Sequence, residues 1–174
     1  MRLFFALLPD LVTRERLSSA VAELKISGRA RSVAPENLHI TLAFVGEVPD
    51  RDVRLYREAG ESLGLRRCAI ELDTWEYWPN SEAVVLTGRE NPRDLAAQTD
   101  SLRAAVAVHG GAKHEQRRWR AHATLARKVA QPPVLPAMSS IMWVSESFSL
   151  MRSDTGGNES VYTVVNSWPL LDKT

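Results

Sequence analysis

Apolar runs separated by short polar breaks set the reading of this chain. Arg2–Leu8 (RLFFALL) is an apolar segment closed by Pro9, the pattern of a buried strand. Asp10 follows in a helix-capping position. Leu17, Val21 and Leu24 then recur at helical spacing, predicting a helix to about Ile26 with Gly28 as its stop. A polar loop leads into an alternating strand, Leu38–Val45, and a second helix is predicted from about Asp50 to Leu63, ended by Gly64. Arg67–Trp78 and Ala83–Thr87 read as strands joined around Pro79-Asn80. Asn91 as N-cap and Pro92 in the first helical position predict a third helix, with Leu95, Leu102 and Val106 on its apolar face and Gly110-Gly111 at its end. A strand around His122 comes next. The segment QPPVLP is too short for a domain linker, and two strands, about Ile141–Met151 and Val161–Val165, flank the turn SDTGGNES.

The order of these elements repeats. Strand, helix, loop and strand occupy about 2–45 and return over about 83–128. At 174 residues the chain fits one domain, and the repetition predicts an α+β fold. Its repeat units, approximately 2–78 and 82–168, would form two lobes related by a pseudo-two-fold axis. Mostly antiparallel sheets would surround a central groove, with helices outside.

Composition narrows the function classes. Hydrophobic residues make up 44% and charged residues 25%, the profile of a soluble globular protein. A net charge of +1 gives no overall basic field for nucleic acid, although the positive charge is mostly arginine, with only Lys25, Lys113, Lys128 and Lys173 as lysines. Arginine suits bidentate phosphate contacts. Cys68, alone, excludes an intramolecular disulfide and a cysteine-based zinc site; its apolar neighbours predict a small core residue. No secretory signal pattern is evident and no apolar run approaches the roughly 20 residues of a membrane span. The expected location is the cytoplasm, with no membrane partner.

One pentapeptide occurs twice. His39-Ile40-Thr41-Leu42-Ala43 and His122-Ala123-Thr124-Leu125-Ala126 share four of five residues, 83 positions apart, and hold two of the four histidines. Side chains alternate along a strand, so His39 and Thr41 share one face, with Ile40, Leu42 and Phe44 opposite. His122, Thr124 and Ala126 likewise share a face. A small residue after each histidine and threonine, Ala43 and Ala126, would leave room for a ligand. A single copy would read as an ordinary structural strand; two copies at equivalent places of a repeated unit mark a site. In-line displacement at phosphorus puts nucleophile and leaving group on opposite sides, so it needs a base and an acid approaching from two directions. Histidine, titrating near pH 6.5, can supply both forms, and each threonine hydroxyl can donate to a non-bridging phosphate oxygen.

Paired His-x-Thr-x motifs half a chain apart resemble those of the 2H phosphoesterase superfamily. Within it, ENLHITLAFVGEV and WRAHATLAR are similar to the RNA 2',3'-cyclic phosphodiesterases, historically called 2'-5' RNA ligases. RLFFALLPD and SFSLMRSDTGGNESVYTVV also fit, with Leu150, Ser153 and Tyr162 at positions that family uses. The resemblance implies hydrolysis of an RNA 2',3'-cyclic phosphate to a 2'-phosphate, without metal or nucleotide cofactor, and a reversible 2'-5' joining of RNA ends. It implies His39 as proton donor to the leaving 3' oxygen, His122 as the base for water, Thr41 and Thr124 on phosphate oxygens, and Arg127 as a phosphate contact. Strict alternation sets Arg127 on the face opposite His122, so that role requires a strand end, a bulge or a long reach. Arg117, Arg118 and Arg120 could line the groove mouth for the RNA backbone.

Trp119, or an aromatic of DTWEYW, either stacks a base or packs in the core. His109 sits where a helix C-terminus would use it, His114 lies in the basic loop, and the scattered histidines argue against a metal site. The expected partner is RNA with a 2',3'-cyclic phosphate end or a related nucleotide, acted on by a monomer with no obligate protein partner. Two alternatives stand beside this: the same chemistry on a small cyclic nucleotide or 2'-5' oligonucleotide, and a non-catalytic module that binds RNA ends.

Overall fold

Apolar spacing and capping residues place most elements where they were expected. A computed structural model of the chain describes residues 1–110, 118–137, 139–154 and 160–172. The strand β1 (Arg2–Leu7) leads to the helix α1 (Leu11–Glu23), whose first turn is capped by Asp10, its carboxylate accepting from Thr13 N at 2.7 Å. Then come β2 (Arg31–Ser32), β3 (Ile40–Glu47) and α2 (Val53–Leu63), which ends at Gly64 in the left-handed conformation, φ 51°. The remaining elements are β4 (Ala69–Leu72), β5 (Thr74–Trp78), β6 (Ala83–Thr87), α3 (Arg93–Val108), β7 (His122–Arg127), β8 (Ile141–Val144), β9 (Ser147–Asp154) and β10 (Val161–Pro169). No described helix is long and apolar enough to cross a membrane.

Two expected strands are each cut in half. Arg67–Trp78 breaks at Asp73, whose N–H donates to Thr87 O and whose carboxylate accepts from Thr74 Oγ1 and Arg89 N. Ile141–Met151 breaks at Ser145, whose hydroxyl accepts from Trp143 Nε1 at 2.7 Å and donates to Leu8 O at 3.2 Å. Both breaks let the chain change sheets. β4 and β8 pair as a two-stranded ribbon, burying Ile70, Leu72, Ile141 and Trp143, while β5 and β9 join the main sheet.

The main sheet is antiparallel, in the order β10-β9-β1-β3-β7-β6-β5, with β2 against β7. Its centre, β3 beside β7, carries the two His-x-Thr copies. The outer strands are exchanged between the sequence units: β5, from the first, closes on β6, and β9 and β10, from the second, close on β1. Helices cross over as well, α3 packing on β3 and α1 on β7 and β8. β1 is buried on both faces. Leu3, Phe5 and Leu7 face the main core, and Phe4 and Ala6 lie on the other side with Met151.

Candidate active site

Pairing between β3 and β7 is confined to Ile40 and Ala123. That one antiparallel pair puts His39 and Thr124 on one side of it and Thr41 and His122 on the other. Beyond it, β3 finds other donors. Thr41 O accepts from Trp119 Nε1 at 2.9 Å, and Leu42 O accepts from Arg103 Nε at 3.2 Å.

Each copy of the pentapeptide contains a β-bulge, which overturns part of the strict-alternation reading. Against β1, Thr41 pairs with Ala6 but Ala43 pairs with Phe5, so Leu42 is the extra residue. Against β6, Thr124 pairs with Val85 but Ala126 pairs with Val84, so Leu125 is the extra residue. An extra residue reverses the side-chain parity that follows it. Leu42 and Ala43, and likewise Leu125 and Ala126, are therefore buried in succession. The alanines pack in the core instead of making room in the groove. Phe44, expected in the core, is 50% exposed. The same shift returns Arg127 to the face of His122 and Thr124, supplying the bulge that its expected role required.

Each histidine is fixed by the carbonyl two residues before it. His39 Nδ1 lies 2.7 Å from Asn37 O, and His122 Nδ1 lies 2.8 Å from Arg120 O. A carbonyl only accepts, so Nδ1 carries the proton in both rings and Nε2 is left as the basic nitrogen. His39 Nε2 is 3.1 Å from Thr41 Oγ1, an arrangement in which the hydroxyl donates. The His39 ring lies between Phe4 and Tyr162, with ring centres 5.0 and 5.2 Å away. Burial pushes its pKa down to about 4; the Asn37 carbonyl opposes this, and the charges of Arg127 and His122 add to it.

His122 is held by a closed loop of contacts. Trp78 packs on its ring at 4.5 Å, and Trp78 Nε1 donates to Glu76 Oε2 at 2.8 Å. Glu76 binds the Arg120 guanidinium through both oxygens, at 2.6 and 2.9 Å, and the Arg120 carbonyl accepts from His122. Arg120, expected at the groove mouth, is thus ion-paired to Glu76. Glu76 was not foreseen. Its signal was an acidic residue in TWEYW that shares a strand face with Trp78.

An open cleft adjoins the first histidine, lined among others by His39, Thr124, Arg127, Arg31, Lys128 and Tyr162. Arg118 lies elsewhere, beside Arg89 and Arg93 in a separate depression. Trp119 is buried and serves as core, and Leu150 is fully buried and does not reach the cavity. Cys68 is only partly buried at the core's margin. His109 closes α3, its N–H donating to Val106 O. Asn91 is not the N-cap of α3, which is Pro92; its amide instead accepts from Ala121 N and donates to Trp119 O, both at 2.9 Å, bracing the approach to His122. Arg117, His114, Gly111 and most of the SDTGGNES turn lie outside the described residues.

Known proteins are similar to this chain in sequence and in fold. The model of the family described as LigT like Phosphoesterase matches residues 9–85, which include His39 and Thr41. The RNA 2',3'-cyclic phosphodiesterase of Archaeoglobus fulgidus is 30% identical over 155 residues, covering 87% of this chain and 86% of that protein. The chain belongs to the LigT-like phosphoesterases. Another of this family, the RNA 2',3'-cyclic phosphodiesterase of Thermus thermophilus, is 28% identical over 179 residues, spanning 98% of this chain and 90% of its own length. The crystal structure of Escherichia coli LigT complexed with 3'-AMP matches with a TM-score of 0.83 and 29% identity, covering 97% of each chain. The similarity to the Thermus thermophilus protein, spanning 98% of this chain, includes both motifs.

Proposed function

We propose that this protein hydrolyses RNA 2',3'-cyclic phosphodiester ends to 2'-phosphomonoester ends, using its two histidines as acid and base and no metal. The observation that carries this is the pair of His-x-Thr motifs set antiparallel across one strand pair, each imidazole with its Nδ1 proton tied to a carbonyl. His122 Nε2 takes the proton of a water that attacks phosphorus. The bond to the 3' oxygen breaks on the opposite side, and His39 supplies its proton. Thr41 and Thr124 donate to the non-bridging oxygens, and Arg127 offsets their charge. A bound phosphate anion beside His39 counters Arg127 and stabilises the imidazolium, so substrate itself raises the donor's pKa. With a ribose 5'-hydroxyl in place of water, the same two groups form a 2'-5' linkage. One chain supplies both histidines, which supports action as a monomer, and an RNA substrate supports a cytoplasmic location.

The neutral state of His39 in the empty site favours one second reading, in which His39 is the base and His122 the donor. One assay separates the two. In EDTA, either His→Ala change is expected to lower kcat/KM on a 2',3'-cyclic RNA end by about 10³-fold or more. A cyclic substrate with sulfur at the 3' bridging position needs no proton donor and should rescue only the donor variant. Rescue of His39→Ala supports the assignment, rescue of His122→Ala reverses it, and full activity in both variants discards the reading.

A further inference from the structure

The cavity beside His39 holds more positive charge than one phosphate requires. β2 pairs with β7 so that Arg31 stands directly across from Arg127, and Lys128 follows at once. Like charges facing each other across two strands are destabilising unless an anion lies between them. Lys128 has φ 58°, left-handed and unfavourable for a residue with a side chain, yet it holds that conformation at the cavity's edge. Among the described residues, no carboxylate forms an ion pair with Arg31, Arg127 or Lys128. Arg31 NH1 donates only to carbonyls of its own loop, Ala30 O at 3.2 Å and Arg29 O at 3.5 Å. By contrast, the arginine near the other histidine, Arg120, is neutralised by Glu76. The cations lining the His39 side are therefore without carboxylate partners among the described residues, whereas Arg120 beside His122 is neutralised.

In-line chemistry gives that asymmetry a direction. If His39 protonates the leaving 3' oxygen, the ribose lies on the His39 side and the water on the His122 side. The terminal nucleoside then extends into this cavity, and its 5' oxygen leads toward Arg31 and Lys128. We propose that Arg31 and Lys128 bind the phosphodiester joining the terminal nucleotide to the one before it, a contact that an RNA end makes and a free nucleoside 2',3'-cyclic phosphate does not. This rests on the assignment of His39 to the leaving-group side.

The test compares ligands that differ by one phosphate. Adenosine 3'-monophosphate and adenosine 3',5'-bisphosphate are titrated calorimetrically into the full chain and into the double variant Arg31→Met/Lys128→Met at one salt concentration. The wild-type protein should bind the bisphosphate about tenfold more tightly, and the variant should bind the two alike. Equal binding by the wild type, or a preference that survives in the variant, overturns the proposal. In parallel, kcat/KM is measured for adenosine 2',3'-cyclic phosphate and for a trinucleotide ending in it. The trinucleotide should be preferred by about tenfold in the wild type, with the ratio falling to about one in the variant. A tenfold binding contrast that the double variant abolishes, with turnover of neither cyclic substrate, upholds the phosphate site and rejects the catalytic reading alone.

Discussion

His39 couples the chemistry of the site to the stability of the protein. An unfolded histidine titrates near 6.5, whereas this one is pushed down to about 4, first by burial. Between those values the unfolded chain binds a proton that the native chain refuses. Stability therefore falls as pH drops from about 6.5 to about 4, by about 3 kcal/mol for this group alone. Urea unfolding at pH 7 and pH 4.5 should show that loss in the wild type, and His39→Gln should remove it. Arg127→Met should raise the His39 pKa, since the guanidinium contributes to its depression, but burial should keep it below 6.5; imidazole NMR titration reads both. Because a phosphate anion favours the imidazolium, orthophosphate binding near pH 6 should draw protons from the buffer.

At the scale of elements, the approach to β7 decides where His122 sits. Asn91 replaces a backbone partner for Trp119 and Ala121, and Glu76 closes the contacts of Arg120 and Trp78. Glu76→Ala should lower kcat by about 10- to 100-fold with little change in KM, since it frees an imidazole that must be held in place. Glu76→Gln, which keeps an acceptor for Trp78, should fall in between. The ¹⁵N signature of His122 should shift from a single Nδ1-protonated tautomer to a mixture in the alanine variant alone. The sequence carried the elements well where local signals act: Asp10 capped its helix, Gly64 ended one, and both histidine strands lay where alternation put them. It misread Asn91, Phe44 and Ala43, each for a tertiary reason. A good N-cap residue was recruited by a neighbouring strand, and an extra residue in a bulge has no signature in a run of apolar side chains.

For the molecule as a whole, hydrogen bonds from side chains tie the two sides of the site together. Trp119 Nε1 to Thr41 O is one and Arg103 Nε to Leu42 O another, beside the single strand pair at Ile40. Trp119→Phe keeps most of the packing but leaves a carbonyl without its donor, and should cost about 1–3 kcal/mol in denaturant unfolding. Activity on cyclic ends should fall further than that loss alone explains if the spacing of the motifs loosens. The duplication of the pentapeptide, and so the pairing of the histidines, was plain in the sequence. The exchange of outer strands was not, because it depends on two breaks, at Asp73 and Ser145, that look like ordinary polar interruptions.

That exchange has a bearing on how the chain reaches its fold. β1 sits between β3 and β9, and its register with β9 pairs Arg2 with Ser153 and Leu7 with Phe148. Until β9, well over a hundred residues later, has emerged, one edge of this apolar strand is bare. Long sequence separation makes such pairing slow, and a bare apolar edge invites pairing with other chains. Early stages of synthesis therefore hold an unfinished sheet, and the nascent chain depends on delayed closure or on outside protection of β1 to avoid aggregation.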